Sequence, residues 1–227
     1  MQEKNRYEDT SDYFLFKRKI IKMFSLRNKS VLDLGFSEKI LQMIDAEDIT
    51  VLDNDPALIK IANNQGYKTI CVNLNDEIAL KPLNRYDAIF MFDILEHLVD
   101  PEIMLNQISK KQRKGDLIFI TVPNSLNIIN RFYYLFGNSL DITDMNHLTK
   151  KIFSDHLHVV TFKKIKKLFS KYRYRLKVIN RYYPSKISRH KKNFFYVAVY
   201  KIINFFRINR LFPEFFSFGY FIVGEKR

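Results

Sequence analysis

Two short apolar runs separated by a helix-length segment constrain this chain most. The stretch from Tyr86 to Asn124, YDAIFMFDILEHLVDPEIMLNQISKKQRKGDLIFITVPN, holds Ala88–Phe92 and Leu117–Val122 at its two ends. Neither run alternates apolar with polar residues, as expected of strands in a parallel sheet covered by helices on both faces. Pro101 stands where a helix can start, Ile103, Leu105 and Ile108 give that helix an apolar side, and Lys114-Gly115 turns the chain into the second run. The reading is one βαβ unit. The carboxylates and imidazole of Asp93–Asp100 then lie at the carboxyl end of its first strand, where open α/β sheets bind their ligands.

The same run resembles the second half of a class I S-adenosylmethionine-dependent methyltransferase, whose pattern is fD-x-I, then LEHL-x-dP, K-x-G-G and a strand ending in PN. Asp116 stands here where the second glycine usually does. The likeness extends from about Lys29 to Tyr182, with a weaker echo at Leu211–Lys226. It implies a doubly wound, Rossmann-like α/β fold with a seven-stranded sheet, mostly parallel, whose last strand (Gly219–Lys226) is antiparallel at the sheet edge. It also implies S-adenosylmethionine as cofactor. The chain reads as one domain over residues 1–227: an N-terminal helix region (1–28), a cofactor-binding core (29–182), and a basic, aromatic helical elaboration with the final strand (183–227).

An amphipathic helix is expected over Tyr13–Leu26, where such family members often cover the cofactor. Ser30–Gly35 is the first strand, leading into the family's D-x-G-x-G-x-G motif through Asp33 and Gly35. Ser37 and Lys39 replace the two later glycines; Ser37 is small enough to be tolerated, and Lys39 is expected to point outward at the start of a helix over Glu38–Ile44. Asp53 ends the next strand 20 residues past Asp33, the place for a carboxylate that accepts ribose hydroxyls, and Asn54 can add a hydrogen bond. Asn73 or Asn75 follows a third strand, where the family often carries an adenine-binding Asp; an amide oxygen can accept the same bond. Phe92 and Asp93 complete the expected cofactor set.

The chemical centre is Asp93-Ile94-Leu95-Glu96-His97. If a helical turn begins at Asp93, positions i, i+3 and i+4 share one face and bring two carboxylates and an imidazole together. Such ligands suit Mg, Mn or Zn. The spacing resembles the E-x-x-E-H motif of ubiquinone-pathway O-methyltransferases and of small-RNA 3′-end 2′-O-methyltransferases, with Asp in the first place. A divalent metal on Asp93, Glu96, His97 and His156 is one reading. The other is a metal-free L-E-H that caps the helix and shapes the pocket. His156, in HLHVVT before a helix capped by Thr161, is the candidate general base, with His147 its competitor and Glu96 and His97 as further catalytic candidates. Tyr133 and Tyr134 are candidates for acceptor contact.

Charge separates the chain into two parts. Residues 1–150 hold 19 Lys and Arg against 21 Asp and Glu, while residues 151–227 hold 19 against 3. A basic third beside a near-neutral body points to an acidic partner. The Phe-rich stretch around Phe194–Phe206, bordered by Lys191, Lys192, Arg207 and Arg210, resembles an interfacial helix on an anionic membrane surface; its alternative is a helix packed on the domain or a second subunit. The one cysteine, Cys71, excludes an internal disulfide and, with no signal-like or membrane-spanning run, fits a cytoplasmic protein. Absence of G-x-G-x-x-G disfavours a dehydrogenase. The expected activity is O-methylation of a small-molecule, sugar or lipid-linked acceptor. The alternatives are an RNA 2′-O-methyltransferase-like enzyme, nucleic acid then being the partner, and a degenerate, non-catalytic homologue.

Overall fold

The computed structural model describes residues 12–76, 79–81, 83–136, 145–146, 151–152, 157–183 and 211–227. In chain order these form α1 (Asp12–Ile21), β1 (Ser30–Leu34), α2 (Glu38–Leu41), β2 (Asp48–Asp53), α3 (Pro56–Asn64), β3 (Lys68–Cys71), β4 (Ala88–Phe92), α4 (Pro101–Lys111), β5 (Leu117–Pro123) and α5 (Ile128–Leu135). A small hairpin of β6 (Met145–Asn146) and β7 (Lys151–Ile152) follows. The chain continues with α6 (Phe162–Lys171), β8 (Tyr174–Tyr182), α7 (Pro213–Phe216) and β9 (Gly219–Lys226).

Seven strands make one sheet in the order β3-β2-β1-β4-β5-β9-β8. The pairs among β1 to β5 are parallel, and β9 is antiparallel to both β5 and β8, so it alone runs against the others. The mostly parallel, doubly wound sheet expected from sequence is therefore present. The last strand, however, is not at the edge: β9 lies inside and β8 is outermost. The physical reason is burial. Gly219–Gly224 of β9 are all buried, whereas β8 alternates and shows Arg175 and Lys177 to solvent, charges that suit an edge strand.

Strands β4 and β5 are apolar because both faces are covered. Ile89, Met91, Ile118, Ile120, Leu105 and Ile108 join one core layer, and Phe90, Phe119 and Phe221 the other. Gly224 allows α6 to lie close, since a Cβ there would sit 2.5 Å from the Phe169 ring. Helix α4 starts as expected: Asp100 accepts from the N–H groups of Glu102 and Ile103, with Pro101 at the first position. Thr161 likewise caps α6 by accepting from the Lys164 N–H.

Asp116 has a structural reason for replacing glycine. Its buried carboxylate accepts from the Arg113 N–H at 2.6 Å and from Arg85 through both Nε and a terminal nitrogen, at 3.0 and 2.5 Å. It closes the turn before β5 and anchors Arg85, which also reaches Asp87. Helix α2 is shorter than expected, ending at Leu41. The Phe194–Phe206 helix lies outside the described residues, and no helix among the described residues is long and apolar enough to cross a membrane.

Candidate active site

Strand order reverses at β1, between β2 and β4, and the crevice at such a switch point is where open α/β sheets take ligands. Asp33, Asp53 and Asp93 stand at the carboxyl ends of β1, β2 and β4 or just beyond. The Gly35-Phe36-Ser37 turn crosses the crevice, held from below by two of these acids. Asp33 Oδ2 accepts from the Ser37 N–H at 2.7 Å, and Asp53 Oδ2 from the Phe36 N–H at 2.9 Å. Gly35 adopts φ +79°, and a Cβ there would meet Ile94 Cδ1 at 2.6 Å, so this glycine answers both a left-handed backbone and a close approach.

Two clefts flank that turn. One, of about 410 Å³, is lined by Gly35, Asp53, Asn54, Asn73, Asn75, Ile94 and His97, together with three leucines. The other, of about 350 Å³, lies beneath α1 and is lined by Tyr13, Lys17, Phe36, Ser37, Lys39, Phe92 and Asp93, among others. All the expected cofactor residues except the buried Asp33 thus line one cleft or the other. Lys39, expected to point outward, is half-buried and lines the second cleft. Asn75 is committed to structure, accepting from the Val99 N–H at 2.7 Å. Asn73 Oδ1 accepts from the Asn75 N–H within the same loop, and its side chain is exposed to the cleft.

Asp53 also accepts from the Asp55 N–H through Oδ1. A carboxylate offers about four lone-pair sites, so each oxygen retains capacity for a further donor such as a hydroxyl. Asp33 is fully buried, and its Oδ1 has no hydrogen-bond partner among the described residues. Burial pushes its carboxyl up to about 8, against the hydrogen bonds from Ser37 that favour the charged form. A buried acceptor without a donor, beside a concave polar surface, fits a cationic or amino-bearing ligand.

The Asp93–His97 segment is not the helical turn expected from spacing. Asp93 has φ +57°, a left-handed value that breaks the helical screw, and the turn begins only at Ile94, whose carbonyl accepts from the His97 N–H. Positions 93, 96 and 97 therefore do not share a face. Asp93 lines the cleft under α1, His97 lines the other, and Glu96 lines neither. Asp93 Oδ1 accepts from the Tyr13 hydroxyl at 2.7 Å and Thr121 Oγ1 at 3.0 Å, while Oδ2 meets Lys17 Nζ at 2.8 Å. Among the described residues no group of three His, Cys, Asp or Glu side chains is placed to hold a metal ion. The fourth expected ligand, His156, and its competitor His147 lie outside the described residues, as does the side chain of Tyr133; Tyr134 is exposed.

Glu96 is almost wholly buried, and neither carboxylate oxygen has a hydrogen-bond partner among the described residues. Burial first, and the Asp93 charge second, push its carboxyl up to about 8, while Lys17 acts in the opposite direction. Its backbone carbonyl accepts from the N–H groups of Leu157 and His158, at 2.7 and 3.2 Å. The segment after residue 156 therefore returns to the active-site turn.

Sequence reasoning missed Tyr13, Lys17 and Thr121. A signal existed for two of them: Tyr13 and Lys17 are four apart and so share one helix face. Thr121 is the lone hydroxyl in the otherwise apolar run of β5 before Pro123.

Known proteins share sequence or fold with this chain. A family model described as a methyltransferase domain matches residues 7–176. The ubiquinone biosynthesis O-methyltransferase of Coxiella burnetii is 30% identical over 112 residues, 46% of this chain and 48% of that protein. The chain thus spans about half the length of the curated relatives it matches. A SAM-dependent methyltransferase from Archaeoglobus fulgidus superposes with a TM-score of 0.60 at 20% identity, covering 95% of this chain and 100% of the other. A possible histamine N-methyltransferase from Thermotoga maritima gives 0.60 at 15% identity, covering 95% and 89%. At such identities these structures show the fold alone.

Proposed function

This chain belongs to the methyltransferase-domain family, and from that premise we propose that it transfers a methyl group from S-adenosylmethionine to an oxygen of a small-molecule or lipid-linked acceptor. The carrying observation is the pair of clefts meeting across Gly35-Phe36-Ser37, with Asp53 in one and Asp93 in the other. S-adenosylmethionine, when bound, supplies an electrophilic methyl on a positively charged sulfur. The protein's task is then largely to hold donor and acceptor in line.

In this reading Asp53 takes the ribose hydroxyls, Asn54 and Asn73 border the base, and Asp33 Oδ1 receives the amino group. Asp53 and Asp93, one in each cleft, give the site a negative lining suited to a cationic ligand. Lys17 offsets part of it, pairing with Asp93 and also bearing on Asp33 and Glu96. Helix α1 borders the second cleft through Tyr13 and Lys17. The donor set does not fit a divalent metal among the described residues, because Asp93 is engaged by Tyr13, Thr121 and Lys17 and His97 faces the other cleft. His156 remains the proposed base, supported by the docking of Leu157 and His158 on Glu96. Oxygen as acceptor is supported by the likeness to the Coxiella burnetii O-methyltransferase.

The test pairs calorimetric titration with S-adenosylmethionine and label transfer from its methyl group to a panel of phenols, sugars, polyprenyl phenols and RNA. Binding followed by transfer to a hydroxylated small molecule or lipid is the expected result. Transfer to RNA alone would replace the acceptor class, and failure to bind the cofactor would overturn the reading.

A further inference from the structure

We propose that the basic cleft where the end of α6 meets the start of β8 and the end of β9 binds a phosphomonoester or diphosphate group, at a site separate from the active site. The cleft holds about 590 Å³, and four cations line it: Lys166, Arg173, Arg175 and Arg227. Ser170 and the buried rings of Phe169 and Tyr174 line it too. Among the described residues no acidic side chain does.

Strand register sets this cleft apart from the two at the active site. Gly219 of β9 lies opposite Pro123 and Glu225 opposite Leu117, so β9 ends beside the amino end of β5. The active-site clefts gather at the carboxyl ends of the parallel strands, and β5 is 7 residues long. The two ends of the sheet are therefore about 20 Å apart. A cleft at that distance takes a ligand of its own.

Backbone bonds bring the cations together. The Arg173 carbonyl accepts from the Arg227 N–H at 2.8 Å, and the Tyr172 carbonyl accepts from Lys226 Nζ at 2.7 Å. Arg173 stands just past α6 with φ +60°, a left-handed position that glycine ordinarily takes. Arg175 is matched, since Glu225 accepts from it at 2.7 Å. The side chains of Arg173 and Arg227 make no hydrogen bond or ion pair among the described residues, and Lys166 is engaged there by the Phe162 ring, at 5.6 Å. Arg227 is the last residue of the sequence, and its α-carboxylate offsets at most one of these three charges. Beside the cleft, Lys226 is held below the ordinary lysine range by burial first and by Arg173 second. The cations thus repel one another, and a bound anion relieves that repulsion.

The lining selects phosphate. Guanidinium forks pair with phosphate oxygens bidentately, and two forks with an ammonium suit a group of two or more negative charges. A single carboxylate carries one. The cleft is within the size range of small-molecule sites, so an organic part can lie against Phe169 and Tyr174. A soluble phosphate ester and a lipid headgroup share this chemistry.

The experiment titrates pyrophosphate calorimetrically into wild type, Arg173→Gly, Arg227→Gln and, as a charge control on the far side of the sheet, Lys60→Gln. Wild type should bind at one site per chain. Arg173→Gly and Arg227→Gln should each weaken binding about tenfold, the lower range for a charge-assisted hydrogen bond, and Lys60→Gln less than about twofold. Glycine suits the backbone at position 173, so that variant should keep the fold, which thermal unfolding checks, and Arg227→Gln gives a second reading. Phosphatidylcholine vesicles carrying phosphatidic acid, or phosphatidylserine matched in charge, separate the two sources. A preference for phosphatidic acid that both arginine variants lose assigns the site to a headgroup; pyrophosphate binding without that preference assigns it to a soluble ester. The proposal is overturned if wild type shows neither pyrophosphate binding nor that preference, or if Lys60→Gln loses as much as the arginine variants. Single-stranded RNA bound through the same arginines, with pyrophosphate ignored, would overturn it as well.

Discussion

Lys17 Nζ lies 2.8 Å from Asp93 Oδ2, and this contact ties helix α1 to the carboxyl end of β4 across 76 residues of chain. The same ammonium sits 4.4 Å from the centroid of Tyr13 and 5.2 Å from that of Phe92, so the pair is sheltered by aromatic rings. Asp93 needs this support: its left-handed φ of +57° stores strain of about 1–3 kcal/mol in a non-glycine residue. Removing Lys17 should leave a half-buried carboxylate without its ion partner, held by Tyr13 and Thr121 alone. Lys17→Met is expected to lower the unfolding free energy by about 1–2 kcal/mol, and Lys17→Met with Asp93→Asn by less than the two single changes added. Denaturant unfolding of the four proteins checks this; strict additivity would separate the two residues.

Stability should depend on pH through Glu96. Its folded carboxyl is raised to about 8 by burial from an ordinary value of 4.5. Between those values the folded chain holds a proton that the unfolded chain has released, so stability falls as pH rises through that window. Glu96→Gln cannot ionise and should stabilise the protein more at pH 9 than at pH 5, to be read from unfolding midpoints across that range. A gain of the same size at both ends would show that burial of the charge is not the cause.

Asp53→Ala should weaken S-adenosylmethionine binding by about 1–3 kcal/mol, the scale of a hydrogen bond to a charged group. It also frees the N–H groups of Phe36 and Asp55, which now donate to that carboxylate at 2.9 Å. Asp53→Asn, which keeps one acceptor oxygen, should lose less. Calorimetry on the three proteins decides it, and unchanged affinity in Asp53→Ala would remove this residue from the ribose site.

Gly35→Ala should destabilise by about 1–3 kcal/mol, because alanine at φ +79° is strained and its Cβ would sit 2.6 Å from Ile94 Cδ1. Shortening the neighbour in Gly35→Ala with Ile94→Ala relieves the collision but not the backbone. Partial recovery in thermal unfolding is the expected result. Full recovery would assign the whole effect to crowding.

Basic residues on α6 offer a test of the acidic-partner expectation. Ile165, Leu168 and Phe169 face the core while Lys163, Lys164, Lys166 and Lys167 are exposed. Near an anionic surface such cations contribute about 1 kcal/mol each. Co-sedimentation with phosphatidylserine-containing vesicles should weaken with salt, and changing these four lysines to Gln should weaken it at low salt and leave less for salt to remove. RNA binding would instead fall steeply and linearly in log salt. A protein that ignores vesicles at low salt sinks the membrane idea.

The sequence by itself determined the sheet architecture and pointed to the strand ends where a site is expected. Unbroken apolar runs at Ala88–Phe92 and Leu117–Val122, with a helix-length segment between them, fit strands buried on both faces, and Asp53 at its spacing from Asp33 fits the adjacent strand end. These features are local, so a one-dimensional reading reaches them. Tertiary structure decided what depends on distant partners. A helix 76 positions away holds Asp93 in place, and a left-handed residue splits Asp93 from His97, because periodicity arguments assume an unbroken helical screw. The inward place of β9 follows from the hydrogen-bonded register that pairs it with both β5 and β8. Its buried apolar residues suit an interior position, but which strands flank it is set only by pairing in space.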